Sequence, residues 1–200
     1  MYVDYRRIRQ LAKASPSGSI VINGCTTAAN VSSYRGAIGG IAGFIANGTI
    51  EECTYKVGSI DNKLANSVCA GIVAIAVDTD ITKCVSTVNM RGLYAGSIDM
   101  RAGGIAAHLM GECTVSQCDY YGTITHDNLR AGTTQPEYFG GIAGLAQDED
   151  ISILNCRYGG TVDTAIISAN NLLDYIINYS PNGGAASEAT INDCSYWDGE

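Results

Sequence analysis

Cysteine is the residue with the most chemistry to offer here. Six of the eight cysteines end the same short motif, I-x-x-C, with Val standing once for Ile. The pairs are Ile22/Cys25, Ile50/Cys53, Ile81/Cys84, Val115/Cys118, Ile153/Cys156 and Ile191/Cys194. A thiolate nucleophile needs a neighbouring base, and only His108 and His126 exist. His108 is expected in a turn and His126 beside a loop, both as ordinary surface residues. Neighbouring thiols on stacked rungs have a Cα separation that suits a disulfide but a side-chain direction that does not. Free cysteines instead pack as small hydrophobes, so the six are expected to form a buried column with no catalytic or metal role.

Carboxylates are the next candidates. Asp148-Glu149-Asp150, Asp78, Asp80 and Glu112 fall in the same turn of different repeats. Hard cations want several oxygens, so calcium between rungs is possible, but a solvated acidic turn is the simpler reading. Glycosidases and lyases use paired carboxylates, or an acidic cluster with Arg or Lys. Arg157, outward beside Cys156, could face such a cluster, yet no spacing singles out a pair. We therefore expect no enzyme, no cofactor and no resident metal.

What positions these residues is a repeat. Cys25, Cys53, Cys84, Cys118, Cys156 and Cys194 are 28, 31, 34, 38 and 38 residues apart. Every second residue after the cysteine gives Cys118-Tyr120-Gly122-Ile124, Cys156-Tyr158-Gly160-Val162 and Cys84-Ser86-Val88-Met90. That period is the mark of a strand with one buried face. Val57 shares the parity of Val88, Ile124 and Val162, although the second copy slips by one and turns Ile60 inward. Tyr55, Tyr120, Tyr158 and Tyr196 share a column beside the cysteines and are expected inside. Upstream, Gly40-Ile41-Ala42-Gly43 aligns with the segments around Ile72, Ile105 and Ile142. Those four isoleucines are expected to fill the interior, with small residues two places on allowing close approach. The sixth copy lacks the glycine pair, and Tyr175-Ile176-Ile177-Asn178-Tyr179 is read as its replacement.

No such unit buries its apolar side alone, and stacking does. Three short strands per repeat, with rungs about 4.8 Å apart, predict an all-β, single-stranded, right-handed parallel β-helix of about six coils. A propeller needs longer four-stranded blades, and the Leu/Asn pattern of a horseshoe is missing. Residues 1–16 are read as an N-terminal capping helix, started by Asp4, with Tyr5, Ile8, Leu11 and Ala12 on one face and Ser15-Pro16 as its stop. Residues 17–200 are the β-helix. Tyr196 and Trp197 are expected to close the last rung.

Composition agrees: 46% of residues are hydrophobic, 16% charged, with 24 glycines and 3 prolines. Net charge is −8, and the basic residues Arg6, Arg7, Arg9 and Lys13 lie in the first segment, leaving an acidic body. Such a body argues against nucleic acid. No apolar run is long enough to span a membrane. No signal peptide is read at the start, so the chain is expected either inside a cell or as a piece of a longer secreted protein.

The series G-G-I-A-G, T-I-x-x-C, C-x-Y-x-G-x-I resembles the GLUG repeat of bacterial surface proteins, among them adhesins and proteins carrying immunoglobulin A peptidases. The resemblance covers roughly residues 18–199. The third copy departs at Cys69-Ala70-Gly71 and at Asn89. The resemblance implies an extracellular or cell-surface place and a non-enzymatic adhesin segment or stalk. It would contact a host glycan or protein through the insertions 61–67, 91–101, 125–138, 163–174 and 180–189, as a fragment of a larger surface protein. A carbohydrate-active β-helix enzyme is the alternative.

Overall fold

A computed structural model describes residues 19–34, 36–62, 67–92, 100–126, 137–148, 150–161, 176–177 and 189–197. The expected capping helix at 1–16 lies outside the described residues. The described chain is all-β, and every strand pairing in it is parallel. No described helix is long and apolar enough to cross a membrane.

As far as Leu154 the described chain visits three sheets in a fixed order, and the later strands join the first two. β1 (Ile20–Asn23) enters the first sheet, β2 (Thr26–Ser33) the second and β3 (Gly36–Gly39) the third. The cycle continues with β4 (Ala42–Glu51), β5 (Thr54–Asn62) and β6 (Ser67–Ala70), then β7 (Val73–Thr82), β8 (Val85–Ser86), β9 (Asn89–Gly92) and β10 (Met100–Gly103). After β11 (Ala106–Met110) and β12 (Cys113–Ser116) come β13 (Asp119–Tyr120), β14 (Ile124–His126) and β15 (Glu137–Gly140). The series ends with β16 (Ala143–Ala146), β17 (Ile151–Leu154), β18 (Arg157–Tyr158), β19 (Thr190–Asn192) and β20 (Ser195–Tyr196).

The register is like on like. Ile22 pairs with Ile50, Ile50 with Ile81, Ile81 with Val115, Val115 with Ile153 and Ile153 with Ile191. A one-residue slip would send every one of these side chains to the other face. In the next column Ile41 donates its amide to Ile72, Ile72 to Ile105, Ile105 to Ile142 and Ile142 to Ile176, at 2.9–3.2 Å. Ile176 therefore occupies the sixth copy's place in this column, with Ile177 bridging Ala143 beside it, and both are buried.

The bend between the first and second sheets has one conformation. Gly24, Glu52, Lys83, Gln117, Asn155 and Asp193, each directly before a motif cysteine, all have φ between 51° and 66°. This left-handed corner turns the chain so that the Ile and the Cys of I-x-x-C both face inward although three residues apart. Gly is free there, while a side chain costs about 1–2 kcal/mol. The ladder across the corner repays that cost: the amides of Glu52, Lys83, Gln117 and Asn155 each donate to a carbonyl of the next repeat at 3.0–3.1 Å.

Alternation fails at one place. Val57 is 70% exposed rather than inward, because Thr27 pairs with Tyr55 and Ala28 with Val57, leaving Lys56 as an extra residue. This bulge flips the parity and brings Ile60 inside with no exposure. Gly58, at φ 147°, follows the bulge with its Cα against the carbonyl of Ala29, where no Cβ fits.

Gln117→Gly should raise stability by about 0.5–1 kcal/mol, the left-handed strain released less the extra entropy of an unfolded glycine. Gln117→Val should lower it by more than that. Urea midpoints for the two variants check both signs.

Candidate functional site

The interior carries most of the reactive groups and holds them inert. Cys53, Cys84, Cys118 and Cys156 are fully buried, Cys194 is half-buried, and Cys25 is exposed. Cys25 thus departs from a buried column. It lies on the first described rung, where strands on only one side pack against it. From Cys53 onward each thiol reaches two carbonyls. One is two residues back in its own chain, at 3.3–3.4 Å. The other belongs to the motif Ile or Val of the preceding repeat, at 3.5–3.8 Å. Along this column the shifts alternate: hydrogen bonding with Cys118 lowers Cys84, and hydrogen bonding with Cys118 and Cys194 lowers Cys156 to about 4. Hydrogen bonding with Cys156 and Cys84, together with burial, holds the Cys118 thiol well above its ordinary range. Burial alone pushes Cys69 up to about 12. None has the electropositive, accessible setting that makes a cysteine reactive.

Ile72, Ile105 and Ile142 are fully buried and Ile41 is partly so. Tyr55, Tyr120 and Tyr158 are buried beside the cysteines. Tyr120 and Tyr158 stack at 5.5 Å, and Tyr196 continues the pile at 5.4 Å. Each buried hydroxyl needs an acceptor. Tyr55 donates to the carbonyl of Ala29 at 2.6 Å and Tyr120 to that of Val88 at 2.9 Å. The rings explain the second glycine of each pair, while a Cβ on the first would strike a backbone carbonyl, that of Ala42 for Gly39 and of Ala106 for Gly103. A Cβ on Gly40 would strike the ring of Tyr55 and the carbonyl of Gly71, and one on Gly104 would strike Tyr120 and the carbonyl of Gly141. The third copy has Ser86 in the tyrosine's place, buried and with no partner for its hydroxyl.

The acidic turn serves the backbone. Asp78 accepts from the amide of Glu112 at 3.0 Å, and Asp148 from that of Gly111 at 2.6 Å. Among the described residues no group of three or more His, Cys, Asp or Glu is placed to hold a metal ion.

His108 is not a surface turn residue. It lies within β11, fully buried, with Nδ1 2.7 Å from an Arg101 guanidinium nitrogen and Nε2 2.8 Å from Oε1 of Gln147. Arg101 can only donate, so Nδ1 accepts and Nε2–H donates. Arg101 also sits 5.7 Å from the ring centre of Tyr138. Sequence reading missed this because the apolar strand Ala106–Met110 has both faces covered, which leaves no alternation to follow. Burial, then the charge of Arg101, hold the imidazole well below its ordinary pKa.

The second sheet presents a different set of groups outward. Arg157 grips Asp119 with two hydrogen bonds, of 2.8 and 2.5 Å. Tyr121 donates to the same carboxylate at 3.2 Å. Tyr121 and Trp197 are 41% and 58% exposed, on either side of Gly159. Trp197 therefore points out from the last described rung, and Tyr196 packs against the interior there with Ile191 and Cys194. Arg157 is placed as an outward residue against a single carboxylate. The tyrosines of the inward column and the exposed aromatics are neighbours in sequence, one residue apart in parity.

Of the insertions, 63–66, 93–99, 127–136, 162–175 and 178–188 lie outside the described residues, and so does the side chain of His126. Their anchors are described. Asn62, Gly92 and His126 stack in register at one end of the second sheet. Gly36 and Ser67, and likewise Met100 and Glu137, pair at the start of the third. The insertions 63–66, 93–99 and 127–136 thus leave and rejoin along one lateral edge, each longer than the one before.

Ser86→Ala removes a buried hydroxyl without a partner and should stabilise the chain by about 1 kcal/mol, read as a higher urea midpoint. A neutral His108 gives a second expectation. Below about pH 6.5 the unfolded chain takes up a proton that the native imidazole refuses. Stability should then fall on acidification, by about 1 kcal/mol between pH 7.5 and 5.5. His108→Gln should flatten that slope in thermal melts. No protein-family model matches this sequence, and a comparison with curated proteins returns no match.

Proposed function

We propose that this chain is a right-handed, single-stranded parallel β-helix of about six coils, akin to GLUG repeats, in a bacterial surface or secreted protein. In this reading it is a non-enzymatic stalk or adhesin segment that meets a host glycan or protein through its lateral loops. The observation that carries the reading is the cyclic order of three parallel sheets with identical residues in register, Ile on Ile and Tyr on Tyr. A rod of this kind holds groups at fixed spacing and gives insertions a common edge, where function on repeat scaffolds sits.

Its interior supports a structural role, since thiols, tyrosines and isoleucines are consumed in packing. The enzyme alternative draws on Arg157 beside Asp119. That guanidinium is paired with one carboxylate, and lyase or glycosidase chemistry needs a second group free to move a proton.

A glycan and host-protein array tests the binding arm: retention is expected, and it should be lost when residues 127–136 are replaced by a short Gly-Ser link. Incubation with polygalacturonate, alginate and hyaluronate tests the alternative. New reducing ends or unsaturated products that disappear in Arg157→Ala would replace the surface-module reading with an enzymatic one.

A further inference from the structure

We propose that the outer face of the second sheet around Gly159 is a stacking platform for neutral pyranose sugars, separate from the lateral loops. Two large rings stand exposed on one strand-to-strand column, with a glycine between them. A Cβ at Gly159 would lie 2.8 Å and 3.0 Å from two carbons of the Tyr121 ring and 3.6 Å from Trp197 Cε3. The Tyr121 ring therefore covers the glycine from one side, and Trp197 lies at contact distance on the other. Backbone ladder bonds fix the rungs beneath: Tyr121 donates to Ser86, Gly159 to Tyr120 and Trp197 to Tyr158, at 2.8–2.9 Å.

Apolar rings exposed to water at 41% and 58% suit a ligand with a flat C–H face and a hydroxylated rim. A pyranose ring has both. Aromatic side chains supply such contact area at small cost in conformational entropy. The polar rim is already oriented. Asp119, 15% exposed, is held by Arg157 and by the Tyr121 hydroxyl, and the Arg157 side chain is 62% exposed. The pair offers guanidinium donors and carboxylate lone pairs while its own charge cancels. The chain carries −8 overall, which disfavours an anionic glycan. The commitment is therefore to an uncharged sugar.

Trp197 is the single tryptophan of the chain, so its emission reports the site directly. The full chain is titrated with cellohexaose, chitohexaose and mannohexaose, and with oligogalacturonate as the anionic control. A saturable shift or quench with at least one neutral hexasaccharide is expected, with none from oligogalacturonate. Tyr121→Ala should weaken the response at least tenfold. Gly159→Leu, whose Cβ would strike the Tyr121 ring and push it off the glycine, should weaken it similarly. Thermal melts of each variant establish that it is folded. Replacing residues 127–136 should leave this titration unchanged, which separates the platform from the loops. No response to any neutral sugar, an equal response to oligogalacturonate, or binding indifferent to both substitutions overturns the proposal. So does concentration-dependent dimerisation abolished by Trp197→Ala, which would assign the face to a second copy of the chain.

Discussion

The parallel backbone ladder in register is the constraint on which everything else rests. Strands about 4.8 Å apart bring the same position of successive repeats into contact, so each interior position must tolerate a copy of itself above and below. Branched aliphatics do so in the column from Ile22 to Ile191, and flat rings do so in the stack of Tyr120, Tyr158 and Tyr196. Cysteine fits the corner because it is small and its thiol can donate to carbonyls that the bend leaves within reach. A charged group in any of these columns would meet its own kind at the same short distance.

The corners make that stacking possible. A left-handed residue before every motif cysteine lets two inward residues stand three apart, where an unbroken strand would place the second outside. The second glycine of the pair, at another corner, answers a different demand, because the tyrosine ring lies against backbone that has no room for a Cβ. Glycine and tyrosine are thus one device written at two places in the repeat. Ser86 shows the device half-used: Gly71 still yields the space, and a hydroxyl without a partner lies there.

The outer surfaces are where repeats are free to differ. On the second sheet the residue after the tyrosine, or after Ser86 in its place, is Lys56, then Thr87, Tyr121, Gly159 and Trp197. Nothing inside requires that series. The third and first sheets behave otherwise, since Val68, Ala70, Ala74, Ile75, Val77, Ala107 and Met110 form a second buried cluster. Arg101 and His108 are buried beside it, in a setting that keeps the imidazole neutral.

The sequence by itself determined the parallel columns, because I-x-x-C and the every-second-residue pattern carry the register in residue types. Ile50 over Ile81 and Tyr120 over Tyr158 follow from that spacing, as does the slip that turns Ile60 inward. It did not determine which way Val57 points, since one extra residue in a pairing shifts parity without any change in composition. Nor did it mark the corner conformation, because Glu52, Lys83 and Gln117 are not residues that announce a positive φ. His108 was hidden for the same kind of reason: burial on both faces erases periodicity. Only the tertiary structure could join Asp119 to Arg157 and set Tyr121 and Trp197 about one glycine, for these contacts run between repeats 38 residues apart, a distance over which local pattern carries no information on side-chain orientation.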